Sequence, residues 1–282
     1  MAGRDARGVG GDIRWMDVPQ GQLKTKIYGT GSHSENPVLV VVLHGDGGKG
    51  PPRPTYQYAV AQAIAEGFDK PEWKLWLMSE GLRQSMSPPL RFDDVVAAGI
   101  LRPGYTDQDG DRSDGRLGNR TGDNHTRQVT EAVVAVVNTL KQDFNARAVI
   151  LMGHSGGATI SANILALYPD TADAALLVAC GCDMAVIRAR LYDMTGYTEW
   201  STPTTSLDPM TSANEVPASK KVRLVVGEND DKVYPEDIRR YADVLAANGV
   251  DVEMVVAPDH GHDSVAVAPV TFSYLDELVR AY

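Results

Sequence analysis

A serine set among glycines is the first feature of this sequence whose residue types could do chemistry. Ser155 lies in the stretch G-H-S-G-G (residues 153–157), directly after the apolar run 148–152. A strand that turns at once into a helix strains its turn residue, and flanking glycines let neighbouring backbone pass without a Cβ clash. The helix N-terminus favours a negative charge that develops beside the serine. We therefore predict that Ser155 is a nucleophile.

A serine hydroxyl is a weak nucleophile, so it needs a base within hydrogen-bond distance and a third group that orients the base. Two later stretches, G-E-N-D-D and P-D-H-G-H-D, each follow an apolar run. They supply the chain order Ser155, Asp230, His262, which is known for this type of serine turn. Asp231 and His260 stay open as alternatives, because a small slip of either loop would exchange the roles.

Apolar β-branched runs alternate with amphipathic stretches, and this alternation predicts a parallel sheet covered by helices on both faces. In such a sheet the ligand site lies at the carboxyl ends of the strands. We predict an α/β fold with a mostly parallel central sheet of about eight strands, the segment 13–29 forming one or two antiparallel edge strands. The expected strands are 37–44, 95–101, 146–152, 174–179, 221–226 and 250–257, and the expected helices are 56–66, 126–144, 158–168, 235–248 and 270–282.

The chain of 282 residues is predicted to form one domain over residues 13–282, after a disordered tail at residues 1–12. Two stretches interrupt the alternation. We interpret residues 67–94 as an insertion, whose Trp73 and Trp76 serve packing or oligomer contact, and residues 183–220 as a small cap.

The net charge of −10 argues against a nucleic-acid partner, which usually requires a basic surface. No segment approaches the roughly 18 apolar residues of a membrane helix, and the N-terminus has no apolar signal region. These features predict a cytoplasmic protein without a membrane partner, and a homo-oligomer is compatible with them. Cys180 and Cys182 are separated by one residue. A bridge over that spacing would be strained, so we predict reduced thiols.

Several of these motifs, in the same order, resemble those of the α/β-hydrolase superfamily. G-H-S-G-G resembles its nucleophile elbow, and H-G-D-G-G (residues 44–48) its oxyanion loop. G-E-N-D-D-K-V-Y-P resembles its acid loop and P-D-H-G-H-D its histidine loop, which places the acid on Asp230 and the base on His262. L-R-P-G-Y (residues 101–105) resembles the loop after its fourth strand. The resemblance runs from about residue 36 to the C-terminus, and it implies a serine hydrolase that needs no cofactor.

An oxyanion hole needs two backbone N–H groups aimed at the tetrahedral oxygen. One is expected from Gly156, the residue after the nucleophile. The other is expected from Asp46, with Gly47 as the alternative. We expect the Asp46 side chain to point away, because a carboxylate would oppose the oxyanion. Gly47, His154 and Tyr105 are predicted to contribute to substrate binding.

A row of acidic residues after Tyr105 raises the possibility of a calcium loop. That template requires glycine at its sixth position and glutamate at its twelfth, where this chain has Arg112 and Gly118. We therefore predict no metal and a solvated acidic loop, which contains Asp107, Asp109 and Asp111. His125 precedes an expected helix and is interpreted as a surface or capping residue.

The function predicted is a serine hydrolase that cleaves a carboxylic ester of a small to medium substrate through a Ser-His-Asp triad and an acyl-enzyme. The short cap resembles that of dienelactone-hydrolase and prolyl-oligopeptidase-like members. A peptidase or acyltransferase on the same triad is the alternative, and a β-propeller gate or an acidic clamp would favour the peptidase. The remaining alternative is a non-catalytic ligand-binding module on the same scaffold.

Overall fold

The computed structural model describes residues 10–31, 33–47, 55–69, 73, 91–119 and 121–282. Within them, eight strands form one sheet in the order β1-β2-β4-β3-β5-β6-β7-β8. The strands are β1 (Asp12–Val18), β2 (Gly21–Tyr28), β3 (Val38–Leu43), β4 (Val95–Ile100), β5 (Ala148–His154), β6 (Ala174–Val178), β7 (Lys221–Gly227) and β8 (Asp251–Ala257). From β4 across to β8 all neighbours are parallel, and β1 and β2 are antiparallel at one edge. The predicted fold class is confirmed.

The central strands are buried on both faces because their sequences are continuous apolar runs rather than alternating ones. In β3, Leu39, Val41 and Leu43 face one hydrophobic core, whereas the residues between them face a second core on the other side of the sheet. Successive side chains of a strand point to opposite faces, so one short run contributes to both cores.

Helices cover both faces, as predicted. The described helices are α1 (Tyr56–Glu66), α2 (Arg127–Asp143), α3 (Gly156–Leu167), α4 (Met184–Thr195), α5 (Pro209–Ser212), α6 (Pro235–Ala247) and α7 (Pro269–Arg280). Apolar residues of α2, α3 and α6 pack in one core, and those of α1 and α7 pack in the other. The segment predicted as a cap contains α4, α5 and two short 3-10 turns, Thr198–Trp200 and Ala213–Glu215.

The insertion predicted at 67–94 lies largely outside the described residues, and so does Trp76. Trp73 is described, and its ring is buried edge-on against Phe68 and Phe272, with ring centroids 5.3 and 5.9 Å apart. It therefore packs in the core beside α7. Residues 1–9 of the predicted tail are outside the described residues, and Asp12 already belongs to β1 rather than to a tail.

The prediction of reduced thiols is wrong, because Cys180 and Cys182 form a disulfide with a Cα–Cα separation of 5.1 Å. That separation lies within the usual range for a disulfide. Ala179, directly before them, has a positive φ of 47°, so the chain turns sharply after β6, and both cysteines are buried at this strand end. A tight turn of this kind cannot be recognised from the spacing of the cysteines alone.

No helix of the described part combines the length and the apolar character that crossing a bilayer requires.

Candidate active site

Ser155 occupies a sharp turn between β5, which ends at His154, and α3, which begins at Gly156. Its backbone has φ 53° and ψ −121°, a region that a non-glycine residue enters only under strain. The Ser155 N–H donates to the Val178 carbonyl at 2.8 Å and ties the turn to the neighbouring strand. A Cβ at Gly153 would overlap the Gly157 carbonyl, so glycine is required where the helix folds back over the strand.

The structure brings Ser155, His262 and Asp230 into one hydrogen-bonded line. His262 Nε2 lies 2.9 Å from Ser155 Oγ, and His262 Nδ1 lies 2.9 Å from Asp230 Oδ2. Asp230 Oδ1 also accepts hydrogen bonds from the backbone N–H groups of Lys232 and Val233 at 3.0 and 2.9 Å. Burial raises the pKa of Asp230, but the hydrogen bond and charge of His262 outweigh it and lower the pKa below its usual value. Asp230 is therefore a buried carboxylate that points at the imidazole.

Two loops hold these side chains: the β7 loop (residues 228–234) and the β8 loop (residues 258–263). The N–H groups of Glu228 and Asn229 donate to the carbonyls of Ala257 and His260, both at 2.9 Å. Both loops follow parallel neighbouring strands, so their starting points lie side by side at one sheet edge. This pairing determines the distance between Asp230 and His262.

The structure also distinguishes the alternatives that the sequence left open. Asp231 is exposed, whereas Asp230 is buried. In the part of the chain that is described, no hydrogen bond joins His260 to Ser155 or Asp230, and its Nδ1 is buried without a partner. The geometry therefore favours Asp230 and His262 over their neighbours.

The β3 loop (residues 44–47) passes directly beside Ser155. A Cβ at Gly45 would lie 2.9 Å from the Ser155 Cβ, and Gly47 has a positive φ of 79°. Gly156 is the first residue of α3, so its N–H has no partner within the helix. The N–H groups of Gly156 and Asp46 or Gly47 remain our prediction for the oxyanion hole.

The Asp46 side chain does not turn away from this place, contrary to expectation. Its carboxylate lies against Gly156, where a Cβ would overlap Asp46 Oδ1. Its oxygens pair with Arg102 Nη1 at 2.9 Å and His125 Nε2 at 3.1 Å, and the Tyr105 hydroxyl donates to it at 3.2 Å. Burial raises the pKa of Asp46, but the charges of His125 and Arg102 lower it well below its usual range. The positive charge of Arg102 thus compensates the negative charge of Asp46, which was expected to repel the oxyanion.

Arg102 lies under the β3 loop with a fully buried side chain. Its Nη1 also donates to the His44 carbonyl at 2.9 Å, and its Nη2 donates to the Asn124 carbonyl at 3.3 Å. The Arg102 N–H donates to His44 Nε2 at 3.0 Å. His44 therefore carries its proton on Nδ1, which donates to the Gly45 carbonyl at 2.7 Å. One guanidinium and one imidazole thus hold the backbone of the loop that passes the serine.

His125 is a residue that sequence reasoning misplaced. It is buried, at 2% exposure, and faces Asp46 and Gly156, whereas Thr126 caps α2. Its position before a helix indicated a surface or capping role. The residues around His125 in the sequence give no sign of its partner Asp46, which lies 79 positions away. The side chain of Arg102 was missed for the same reason, although its loop was recognised.

His154 and Tyr105, predicted to bind substrate, are both buried behind the site. Tyr105 is 1% exposed and packs edge-on against His44, while its hydroxyl donates a hydrogen bond to Asp46. His154 Nε2 lies 2.8 Å from the His262 carbonyl, and its Nδ1 lies 2.8 Å from the Tyr56 hydroxyl. Both side chains therefore contact the loops of the site. Gly47 is exposed beside the serine and keeps its place as a predicted substrate contact.

The acidic row is only in part the solvated loop that the sequence predicted, because Asp109 and Asp111 are exposed but Asp107 is not. Asp107 is fully buried, and Lys24 Nζ lies 2.6 Å from it and 2.5 Å from Asp111. Lys26 Nζ lies 3.1 Å from Asp109. The three carboxylates could approach one ion, and the two buried lysines of β2 offset two of their three negative charges. The cluster ties the loop after β4 to the edge strand.

The two buried imidazoles predict how stability depends on pH. Burial and the charge of Arg102 hold the pKa of His44 well below 6.5, and burial with the neighbouring His262 lowers the pKa of His154 to about 4. Below pH 6.5 these two histidines bind protons in the unfolded chain but not in the folded chain. Their contribution to the free energy of unfolding is therefore complete above pH 6.5 and is lost progressively as the pH falls below it. The slope is about 1.4 kcal/mol per pH unit for each group.

Urea unfolding between pH 7.5 and pH 5 checks this slope in the wild type and in two variants. His154→Gln removes one of the two groups, so we expect a shallower loss of unfolding free energy with falling pH. His33→Gln, which changes a histidine far from the site, is expected to retain the wild-type slope. Equal slopes in all three proteins would contradict the prediction.

The sheet order, the strained serine turn and its hydrogen-bonded histidine together define a serine hydrolase of the α/β-hydrolase fold. The sequence matches the prolyl oligopeptidase family over residues 106–275, which is more than half of the chain. The chain therefore belongs to the prolyl oligopeptidase family. No protein of curated function matches it in sequence.

Many solved structures share the fold, among them one esterase, one α/β serine hydrolase and one peptidase. An esterase of Pyrococcus furiosus has a TM-score of 0.61 at 16% identity, covering 96% of this chain and 92% of its own. A Xanthomonas campestris α/β serine hydrolase without a lid has a TM-score of 0.55 at 14% identity, covering 97% and 93%. An acylaminoacyl peptidase of Pyrococcus horikoshii has a TM-score of 0.62 at 12% identity, covering 95% of this chain but 40% of its own. At such identities the likeness shows the fold alone.

Proposed function

We propose that this protein is a carboxylesterase-like serine hydrolase with Ser155, His262 and Asp230 as its catalytic triad. The observation that carries the proposal is the hydrogen-bonded line from Ser155 Oγ through the His262 ring to Asp230, with 2.9 Å at both steps. This is the arrangement in which a base removes the serine proton and a carboxylate holds the ring in the right tautomer.

In the proposed reaction Ser155 Oγ attacks the acyl carbonyl while His262 Nε2 takes its proton. The N–H groups of Gly156 and Asp46 stabilise the oxyanion, with Gly47 as the alternative second donor. His262 returns the proton to the departing alcohol and leaves an acyl-enzyme on Ser155. Water, activated by the same imidazole, then releases the acid and restores the serine.

A cavity that borders the Asp46 cluster, and is not lined by the triad residues themselves, supports a substrate of small to medium size. It has a volume of about 480 Å³ and lies between α4 and residues 200–208. Ser206 lines it, and the Ser206 hydroxyl accepts a hydrogen bond from the His125 N–H at 3.0 Å, so the cavity borders the cluster around Asp46. The volume falls within the range of small-molecule sites. We propose that it receives one side of the ester.

A peptidase on the same triad is the second candidate, and membership of the prolyl oligopeptidase family favours it. The chemistry of the first steps is shared, because an amide and an ester form the same acyl-enzyme. An amide differs in its leaving group, which must be protonated before it departs. Transfer of the acyl group to an alcohol or amine instead of water would use the same intermediate.

Matched substrates separate these candidates. p-Nitrophenyl esters from acetyl to dodecanoyl measure the size of the acyl site. The p-nitroanilide of the best acyl group tests amide cleavage, with p-nitroaniline instead of p-nitrophenolate as the coloured product. We expect turnover of short and medium esters and slow or no cleavage of the anilide. Comparable kcat/KM for both would favour the peptidase, and a rise in ester turnover on adding alcohol, with ester products, would favour acyl transfer.

Labelling with a fluorophosphonate tests the site itself without a choice of substrate. Peptide mass mapping is expected to find the adduct on Ser155 in a folded sample. An unlabelled but folded protein would contradict the proposed function and leave the ligand-binding module as the better description.

A further inference from the structure

A chain of hydrogen bonds behind the site joins two of its loops. Tyr56, the first residue of α1, accepts from the Gly45 N–H at 2.5 Å, and its hydroxyl lies 2.8 Å from His154 Nδ1. On the other side of the ring, His154 Nε2 lies 2.8 Å from the His262 carbonyl. Gly45 belongs to the β3 loop and His262 to the β8 loop, so the chain connects the proposed oxyanion hole with the proposed base.

The direction of every hydrogen bond in this chain follows from chemistry. A carbonyl oxygen only accepts, so His154 Nε2 must carry a proton and donate to His262. A neutral ring then has a bare Nδ1, which accepts the Tyr56 O–H. The Tyr56 oxygen is left to accept from the Gly45 N–H, which can only donate. Each polar atom of the chain thus has a partner of the right kind, and only the neutral Nε2–H tautomer allows it.

We propose that Tyr56 and His154 are positioning residues that hold the β3 loop and the β8 loop at a fixed distance and orientation relative to each other. The inference rests on the proposed function, in which the β3 loop supplies an oxyanion donor and the β8 loop supplies the base. His154 adjoins the nucleophile, and its two ring nitrogens contact Tyr56 and the His262 carbonyl. Its ring thus links the β8 loop, through the Tyr56 hydroxyl, to the β3 loop.

The physical reason is preorganisation. Asp230 orients the His262 ring from one side, but the ring can serve Ser155 only if the His262 backbone stays at the right distance. The hydrogen bond from His154 restrains that backbone at its carbonyl. Gly45 packs directly on Ser155. The hydrogen bond from the Gly45 N–H to Tyr56 therefore determines where the next N–H groups of the loop, those of Asp46 and Gly47, point. A misplacement of about 1 Å in such an arrangement can lower the rate about a hundredfold.

Paired substitutions test this role by kinetics. Tyr56→Phe removes the hydroxyl, and His154→Leu removes both ring nitrogens, so each is expected to lower kcat about 10- to 100-fold while KM changes by less than about threefold. His154→Gln retains an amide donor near the Nε2 position and is expected to recover most of kcat. Tyr241→Phe is the matched control, because its buried hydroxyl has no partner among the described residues.

Full activity in Tyr56→Phe and His154→Leu would overturn the inference, and so would a His154→Gln variant no better than His154→Leu. Circular dichroism and thermal unfolding of each variant separate loss of positioning from loss of the fold. If His154→Leu does not fold, the comparison of Tyr56→Phe with Tyr241→Phe decides the question.

A spectroscopic measurement tests the same network without any substrate. In protein labelled with ¹⁵N-histidine, the His154 ring, assigned by its absence in His154→Gln, is expected to show the neutral Nε2–H tautomer at pH 7. The opposite tautomer, or a charged ring, would overturn the inference even if the enzyme is active. The expected tautomer in a protein that fluorophosphonate does not label would contradict the proposed function and leave the loop contact intact.

Discussion

Replacement of Ser155 by alanine is expected to lower kcat at least about a thousandfold for any ester that the wild type cleaves. Removal of a triad nucleophile costs this much or more, because the remaining oxyanion donors and binding contacts support only a small residual rate. Ser155 Oγ is the one atom in this turn that could form the acyl-enzyme, and it faces His262 Nε2 at 2.9 Å. The measurement is steady-state hydrolysis of the best p-nitrophenyl ester, with fluorophosphonate labelling in parallel.

The Ser155→Ala variant is expected to fold as the wild type does, because the substitution removes a single oxygen atom and leaves the packing around the turn unchanged. Ser161→Ala is the matched control on the same helix. Its buried hydroxyl donates back to the Gly157 carbonyl at 2.9 Å and faces no reacting group, so its loss is expected to leave kcat unchanged. A Ser155→Ala enzyme that still turns over esters at a tenth of the wild-type rate would eliminate Ser155 as the nucleophile.

Replacement of His262 by alanine is expected to cause a loss of similar size, whereas His260→Ala is expected to retain most of the activity. His262 contacts both Ser155 and Asp230, and a serine without its base attacks an ester very slowly. His260 lies two positions earlier in the same loop, so it controls for disturbance of the loop itself.

The double variant Ser155→Ala with His262→Ala makes this test stricter. Members of a triad act as one unit, so the double loss is expected to be no larger than the loss in Ser155→Ala alone. Additive losses would show that the two residues act independently. The reverse pattern, with His260→Ala inactive and His262→Ala active, would move the base to His260.

The sequence by itself determined the order of elements and limited the candidate triad to Ser155, Asp230 or its neighbour Asp231, and His262 or His260. Apolar runs report burial, and glycines around a serine report a tight turn, because both depend on interactions within a few residues. Parallel strands then place their carboxyl ends at one edge of the sheet, so Ser155, Asp230 and His262 meet although the first and the last are 107 positions apart. Topology alone thus converts three local motifs into one site.

Only the tertiary structure decided which side chains support that site. The charge of Asp46 is compensated by Arg102, with His125 at hydrogen-bond distance, and His154 contacts the carbonyl of His262. Each of these contacts joins loops that follow different strands, and its partner is a single side chain without a repeating pattern. Such pairs depend on how loops pack in three dimensions, which residue type and spacing along the chain do not encode. The same reason explains why the cysteine pair and the lysines beneath the acidic row became clear only in the folded molecule.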